Sequence, residues 1–428
     1  MNPIFRTCAS LGVLLVAPLS ALSLTLEEVQ AQTLAPYAGR TERGVDVSTL
    51  TGKVMCGYQG WFNVEGDGGD RGWVHWVKGR GSMTDSNVKV DLWPDLMEYA
   101  ADERFDTGLK HADGRTAQVF SSFKKPTVLR HFQWMREYGI DGAFVQRFAN
   151  GLQGPRVLRH TNTVLAHCRE GANTHGRAYA VMYDLSGLRA GKMQEVIDDW
   201  RALRSRMKVG EDAAYLHHRG KPLVAVWGIG FNDKRDYTLA ECRTLIEFLK
   251  SDGCTVMLGI PTYWREQKND TVTDPALHEV LKLADVLSPW TVGRYNSPER
   301  AMHHVEKVAT SDLAWCAEQK LDYLPVIFPG FSWHNMYGAP LDSIPRLKGA
   351  FYQAQIDANL AAGATMLYVA MFDEVDEGTA IFKCTNDVPV ADGAAFLTYE
   401  GLPSDHYLKL TGEAAKRLVG KENSSQRR

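Results

Sequence analysis

The sequence predicts an α/β chain folded as a (β/α)8 TIM barrel with long βα-loop insertions. Three observations point there. Eight short β-rich apolar runs recur along the 428 residues, helix-like stretches separate most of them, and no second composition class interrupts the alternation. The main competitor, an open doubly wound sheet, calls for a G-x-G-x-x-G turn after the first strand, and the sequence has none there.

The eight runs occupy 54–59, 142–146, 178–183, 222–227, 255–259, 285–290, 324–328 and 366–372. Most are continuously apolar, as in AYAVMY, PLVAVW and MLYVAMF. Strands buried on both faces have this composition, which is the mark of a parallel sheet covered by helices. Apolar residues at three-to-four spacing predict helices over 128–138, 157–169, 193–207, 239–249, 298–319 and 344–361. Several of these end at a glycine, as at Gly139 and Gly363. The segment 61–124, rich in Gly, Asp and Trp, is a long insertion after the first strand, with an extra strand-like piece at 117–121. Insertions of this kind usually build the reactive face of a barrel.

The ends of the chain read differently. Arg6 followed by an apolar stretch over 11–22, too short to span a bilayer, predicts a signal peptide over 1–23, with cleavage possible up to 31. The expected location is therefore secreted or periplasmic. One catalytic domain is expected over 45–415, with a polar tail at 416–428. Of seven cysteines, Cys8 lies in the expected leader; Cys56 and Cys254 lie in strand-like runs and read as buried free thiols. Net charge is −3 with no basic run, which argues against nucleic acid as a partner, and no later segment reads as a membrane span.

In a parallel barrel, chemistry sits at the C-terminal ends of the strands. Those ends hold Tyr58, Trp61, Gln146, Arg147, Tyr183, Asp184, Trp227, Trp290, Trp333 and His334, and the insertion adds His75 and Trp76. Aromatic planes pack on the C–H faces of sugars, while amides and carboxylates bind hydroxyls. This set therefore predicts a polysaccharide or oligosaccharide partner. The sharpest feature is Asp373-Glu374-Val375-Asp376-Glu377, four carboxylates in five residues straight after an apolar strand. Glycosidic cleavage needs one protonated and one ionised carboxyl, and Glu374 and Glu377 are the expected catalytic pair, with Asp373 and Asp376 as further contacts. Two alternatives stand beside this reading: a non-catalytic glycan-binding barrel, and a barrel whose acidic cluster holds a structural Ca2+. The cluster is not an EF-hand, and no zinc, G-x-S-x-G or P-loop motif occurs, so no cofactor and no metal is expected.

The segment Phe372-Asp373-Glu374-Val375-Asp376-Glu377-Gly378-Thr379 resembles the F-N-E-W-H-E-G-T motif of glycoside hydrolase family 99, the endo-α-mannosidase and endo-α-mannanase barrels related to family 71. Gly57-Tyr58-Gln59-Gly60-Trp61 is similar to that family's first-strand Y-x-x-W segment, Gly139-Ile140-Asp141 to its second-strand G-I-D, and Phe328-Pro329-Gly330-Phe331 to its P-G-Y turn. The resemblance spans about 54–382. It implies a (β/α)8 fold and retention at an α-linkage without a metal. It further implies that Glu374 takes the proton of the substrate's 2-hydroxyl, which attacks the anomeric carbon, and that Glu377 is the acid/base. Asp373, Val375 and Asp376 stand where that motif has Asn, Trp and His.

Overall fold

A computed structural model of the chain describes residues 24–425. The expected leader, 1–23, lies outside the described residues. Eight strands form the barrel: β1 (Val54–Tyr58), β2 (Gly142–Phe148), β3 (Ala178–Asp184), β4 (Lys221–Trp227), β5 (Thr255–Pro261), β6 (Val286–Trp290), β7 (Val326–Ile327) and β8 (Leu367–Val369). β1 through β6 pair in sequence order, all parallel, and β8 pairs parallel with β1. The seventh run closes the ring in two pieces. Asp322–Tyr323 pairs with β6, and β7 pairs with β8. Pro325 lies between the pieces; it has no N–H to donate, but its carbonyl accepts from Tyr368 N, so the strand changes partner there. Strand side chains are buried on both faces for most of their length, as the continuous apolar runs require.

The helices of the outer layer are α1 (Lys125–Tyr138), α2 (Pro155–His175), α3 (Met193–Ala202), α4 (Leu239–Ser251), α5 (Ala276–Leu281), α6 (Pro298–His304, running on to Glu318), α7 (Ala350–Ala361) and α8 (His406–Ser425). Local chemistry sets their ends. Pro126 and Pro155 open α1 and α2, where a missing N–H costs nothing. Thr238 and Glu241 form a capping box on α4. Gly139, at φ 77°, ends α1 in the left-handed region, where a Cβ would be strained. α7 begins at Ala350, six residues later than the expected 344, because Lys348 and Gly349 both have positive φ and interrupt the helical path.

Two of the expected boundaries fall within helices. The polar tail expected from 416 is the second half of α8, which buries Ala414, Ala415 and Leu418 against the barrel. The later cleavage point, near 31, falls inside a helix (Leu26–Thr33) capped by Thr25, with Val29 buried. Cys56, Cys168, Cys242, Cys254, Cys316 and Cys384 are buried free thiols. Among the described residues, no helix is long and apolar enough to cross a membrane.

The insertion after β1 folds over the C-terminal mouth. It contains an antiparallel pair, Phe105–Lys110 with Thr116–Val119, and a small core in which Phe62, Trp76 and Phe120 meet. Asp91 fastens it: its backbone N–H donates to Val375 O, and its carboxylate accepts from the backbone of His334 and Asn335. The insertion is thereby bound to the loops after β7 and β8, where the acidic cluster lies.

Candidate functional site

Strand geometry decides what reaches the mouth. Alternate side chains point into the barrel, and their neighbours point toward the helices. At the end of β2, Gln146 faces inward, while Arg147 runs outward and is wholly buried against Asp199 and Asn162. At the end of β3, Asp184 faces inward, while Tyr183 turns away and donates to the same Asp199 at 2.6 Å. At the end of β1, Gln59 faces inward, and Tyr58 packs on Phe132 with its hydroxyl 2.8 Å from His131 Nδ1.

The inward set encloses a cavity of about 710 Å3. Trp61, Trp227, Trp290, Phe331, Trp333 and Tyr337 supply aromatic walls. Asp184, Asp233, Glu374, Glu377 and Arg294 supply charge. The walls are braced from behind. The Arg235 guanidinium sits 4.9 Å over Trp227 and is paired with Asp233, while Trp227 meets Trp290 edge-on at 5.5 Å. A second cavity, of about 560 Å3, adjoins the first and shares Gln59, Trp61, Gln146, Phe148 and Ser186 with it.

The acidic cluster divides by orientation. Asp373 points back into the barrel wall, and its two oxygens accept from the backbone N–H groups of Gln59 and Gly60 at 2.8 Å each. That clamp fixes the turn out of β1 and presents Gln59, whose amide donates to Glu374 Oε1 at 2.5 Å. Thr379 donates to the other oxygen, Oε2, at 2.6 Å. Glu374 is thus held on both oxygens at the cavity floor. Asp376 is buried; its Oδ2 is 2.8 Å from His75 Nδ1 and 3.5 Å from Lys89 Nζ. His75 in turn stacks on Trp61 with centroids 3.7 Å apart and planes 6° from parallel, so Asp376 positions a wall of the cavity without lining it.

Glu374, Glu377 and Asp373 are perturbed in one direction. Burial raises Glu374 well above the ordinary range, with the charges of Glu377 and Asp376 adding to it and the hydrogen bonds from Thr379 and Gln59 opposing. Burial and Asp376 push Glu377 up to about 8, against a hydrogen bond from Trp333 and the charge of Lys89. Burial raises Asp373 to about 7 despite its two backbone donors. A floor of this kind holds protons near neutral pH, and its interacting carboxyls release them in separate steps, which gives one protonated and one ionised group between those steps.

Of the residues expected from the sequence, Trp61, Gln146, Asp184, Trp227, Trp290, Trp333, Glu374 and Glu377 line the main cavity. Seven do not. Tyr58, Arg147 and Tyr183 face the helices, as described above. Trp76 is core, with its indole donating to Phe120 O. His334 is turned aside, its Nδ1 2.8 Å from Ala339 O. Asp373 and Asp376 support neighbours instead of facing the space. Gln59, Thr379, Asp233, Arg294 and Tyr337 were not expected. Gln59 could have been found from its place beside Tyr58 at the strand end, and Thr379 from the Phe372–Thr379 segment that it closes; Asp233, Arg294 and Tyr337 lie beyond the strand ends, where no local pattern announces their approach. Among the described residues, no group of three or more His, Cys, Asp or Glu side chains is placed to hold a metal ion.

Solved structures with this architecture exist. A family 99 endo-alpha-mannosidase from Bacteroides thetaiotaomicron superposes with a TM-score of 0.64 at 15% identity, covering 88% of this chain and 100% of that one. The barrel shares the fold of that enzyme. The same organism's family 99 endo-alpha-mannosidase in complex with bis-tris-propane gives 0.63 at 16% identity, again over 88% and 100%. A structure described as a glycoside hydrolase-like protein gives 0.51 at 12% identity, over 90% of this chain and 98% of that one. No protein-family model matches the sequence, and no curated protein matches it.

Proposed function

We propose that the chain is a glycoside hydrolase that cleaves α-linked glycan with retention, using Glu374 and Glu377. The observation that carries this reading is the floor of the cavity. Two carboxyls from one loop, both raised by burial, lie beneath aromatic walls at the C-terminal mouth of a barrel. The fold shared with family 99 endo-alpha-mannosidases and the Phe372–Thr379 resemblance support the same reading.

In the proposed reaction, Glu374 takes the proton of the sugar's 2-hydroxyl as that oxygen attacks the anomeric carbon. The C–O bond to the leaving group breaks while Glu377 protonates the departing oxygen. A 1,2-anhydro sugar results. Glu377, now ionised, then takes a proton from water as the water oxygen attacks the anomeric carbon; the bond from that carbon to the 2-oxygen breaks, protonated Glu374 returns its proton to the 2-oxygen, and configuration is retained overall. Gln59 and Thr379 support the base role, since both donate to Glu374 and oppose the burial that raises it. Reducing-end release should be measured on α-mannans, α-glucans, fucans and xylan-type polysaccharides, with Glu377→Gln as control. Product that disappears in the variant is expected. Glycan binding by calorimetry without product on any substrate would instead favour the non-catalytic binding barrel.

Export to the periplasm or medium is part of the proposal and rests on the leader-like stretch at 1–23. The cap at Thr25 supports cleavage near 23 over cleavage near 31. N-terminal sequencing of the exported protein tests both points; a start near Gln32 would contradict the earlier site.

A further inference from the structure

The two adjoining cavities differ in charge. The main one carries four carboxylates, Asp184, Asp233, Glu374 and Glu377. The side cavity, about 560 Å3, has no carboxylate in its lining, and it has Arg71. Among the described residues Arg71 makes no ion pair within 4 Å, and one hydrogen bond, from Nη1 to Asn63 Oδ1 at 2.9 Å. The carboxylate that acts on it most, Asp67, is already engaged: it accepts from Asn63, Ser121, Gly69 and Val64. A guanidinium has five N–H donors in a planar fork suited to carboxylate and sulfate oxygens. Most of that capacity is open toward a half-enclosed space.

The surroundings fit a sugar that carries the anion. Trp61, stacked on His75, gives the side cavity a flat wall, and its indole N–H has no partner among the described residues. Gln59 Oε1 and Gln146 Oε1, at the junction of the two cavities, are also without donors and suit sugar hydroxyls. His160 is occupied, with Nε2 2.8 Å from Gly60 O and Nδ1 3.1 Å from the Asn63 amide, so the positive charge here belongs to Arg71.

We propose that the side cavity is a subsite for an anionic sugar unit, bearing a carboxylate or a sulfate ester, with Arg71 as the residue that recognises it. The inference rests on the glycosidase reading of the adjoining floor and narrows its substrate to a charged polysaccharide. Its geometry follows from the shared residues: Gln59 touches both Glu374 and the side cavity, so the charged unit lies next to the bond being cleaved.

The test is calorimetric binding to the Glu377→Gln protein, which removes turnover from the measurement. The probes are α-manno- and α-gluco-oligosaccharides, each neutral, C6-oxidised to uronate, or sulfated. At least one anionic form should bind about tenfold tighter than its neutral parent, the order expected of one charge-assisted contact. Arg71→Met should reduce that advantage to about twofold, and Arg71→Lys, which keeps the charge without the fork, should retain part of it. Uronate and sulfate arms separate the two sources of charge. Equal or tighter binding of every neutral parent, an advantage that survives Arg71→Met in a protein of unchanged melting temperature, or binding by none of the probes would each overturn the proposal. A failure of the glycosidase reading looks different: anionic probes bind through Arg71, and the wild type releases no reducing ends from any polysaccharide.

Discussion

At the scale of single residues, the site depends on carboxyls that water does not reach. Glu377 is pushed up to about 8 and Glu374 is raised as well, so the pair loses its protons in two steps, both above the ordinary carboxylate range. The proposed reaction needs one of each form. The pH profile of kcat/KM should therefore be a bell with its acid limb well above 4.5 and its optimum neutral to mildly alkaline. Full activity at pH 5 would sink the assignment. Glu374→Gln and Glu377→Gln should each lower kcat by about a hundred- to ten-thousandfold with the fold retained by circular dichroism. Asp373 makes a different prediction, because it acts through Gln59. Asp373→Asn keeps one acceptor and turns an amide N–H2 toward a backbone N–H it formerly bound. Stability should fall by about 1–3 kcal/mol. The loosened Gln59 should lower kcat on the order of 10–100-fold with KM little changed. The acid limb should also move, since Glu374 loses a fixed donor; a merely structural role would leave that limb in place.

At the scale of the strand, adjacent residues divide between catalysis and cohesion. Gln146 and Arg147 are neighbours, as are Tyr183 and Asp184, and one of each pair faces the cavity while the other meets Asp199 behind it. Asp199 thus joins β2 and β3 to the helical layer. Asp199→Ala leaves a wholly buried guanidinium uncompensated and should cost about 3–5 kcal/mol in urea unfolding. The double change Arg147→Met with Asp199→Leu should recover most of it, by strong non-additivity. A single-variant loss below about 1 kcal/mol would show that the pair is not a structural joint. The same pairs show what the sequence could tell. Continuously apolar runs identified all eight strands, because a strand covered on both faces needs apolar residues at every position. That very continuity erases the alternation that would say which polar residue at a strand end points inward. Arg147, Tyr183 and Tyr58 are therefore indistinguishable in sequence from their inward-facing neighbours. The Asp373–Glu377 cluster was visible because four carboxylates after an apolar strand are costly without a purpose, but its division into floor and clamp depends on Gln59 and His75, more than 300 residues away in sequence. Arg71 and Arg294 reach the cavities only through the folded course of long loops.

At the scale of the whole molecule, buried titratable groups set a stability profile with two opposed limbs. Burial depresses His131 and His160 to about 3, and His167 and His304 to about 4. Between these values and 6.5 the unfolded chain binds more protons at these sites, so their contribution to stability rises with pH and is complete near 6.5. The carboxyls act in reverse. Asp373 and Asp312 stand at about 7, Glu377 at about 8, and Glu374 is raised as well, each chiefly by burial. From about 4.3 up to these values the folded chain holds more protons, so stability falls as pH rises. Below 6.5 the histidines and surface carboxylates offset that loss; above 6.5 nothing comparable does. The melting temperature should peak near pH 6.5 and decline by a few degrees toward pH 8.5, with Glu377 alone contributing about 1–2 kcal/mol of the loss. Glu377→Gln, which cannot ionise, should flatten that decline and melt higher than wild type at pH 8.5 while showing little difference at pH 5. Calorimetric scans at four pH values across this range decide it. A wild-type plateau from 6.5 to 8.5 would mean that water reaches the floor of the cavity and that the raised carboxyls, on which the proposed chemistry depends, are not raised.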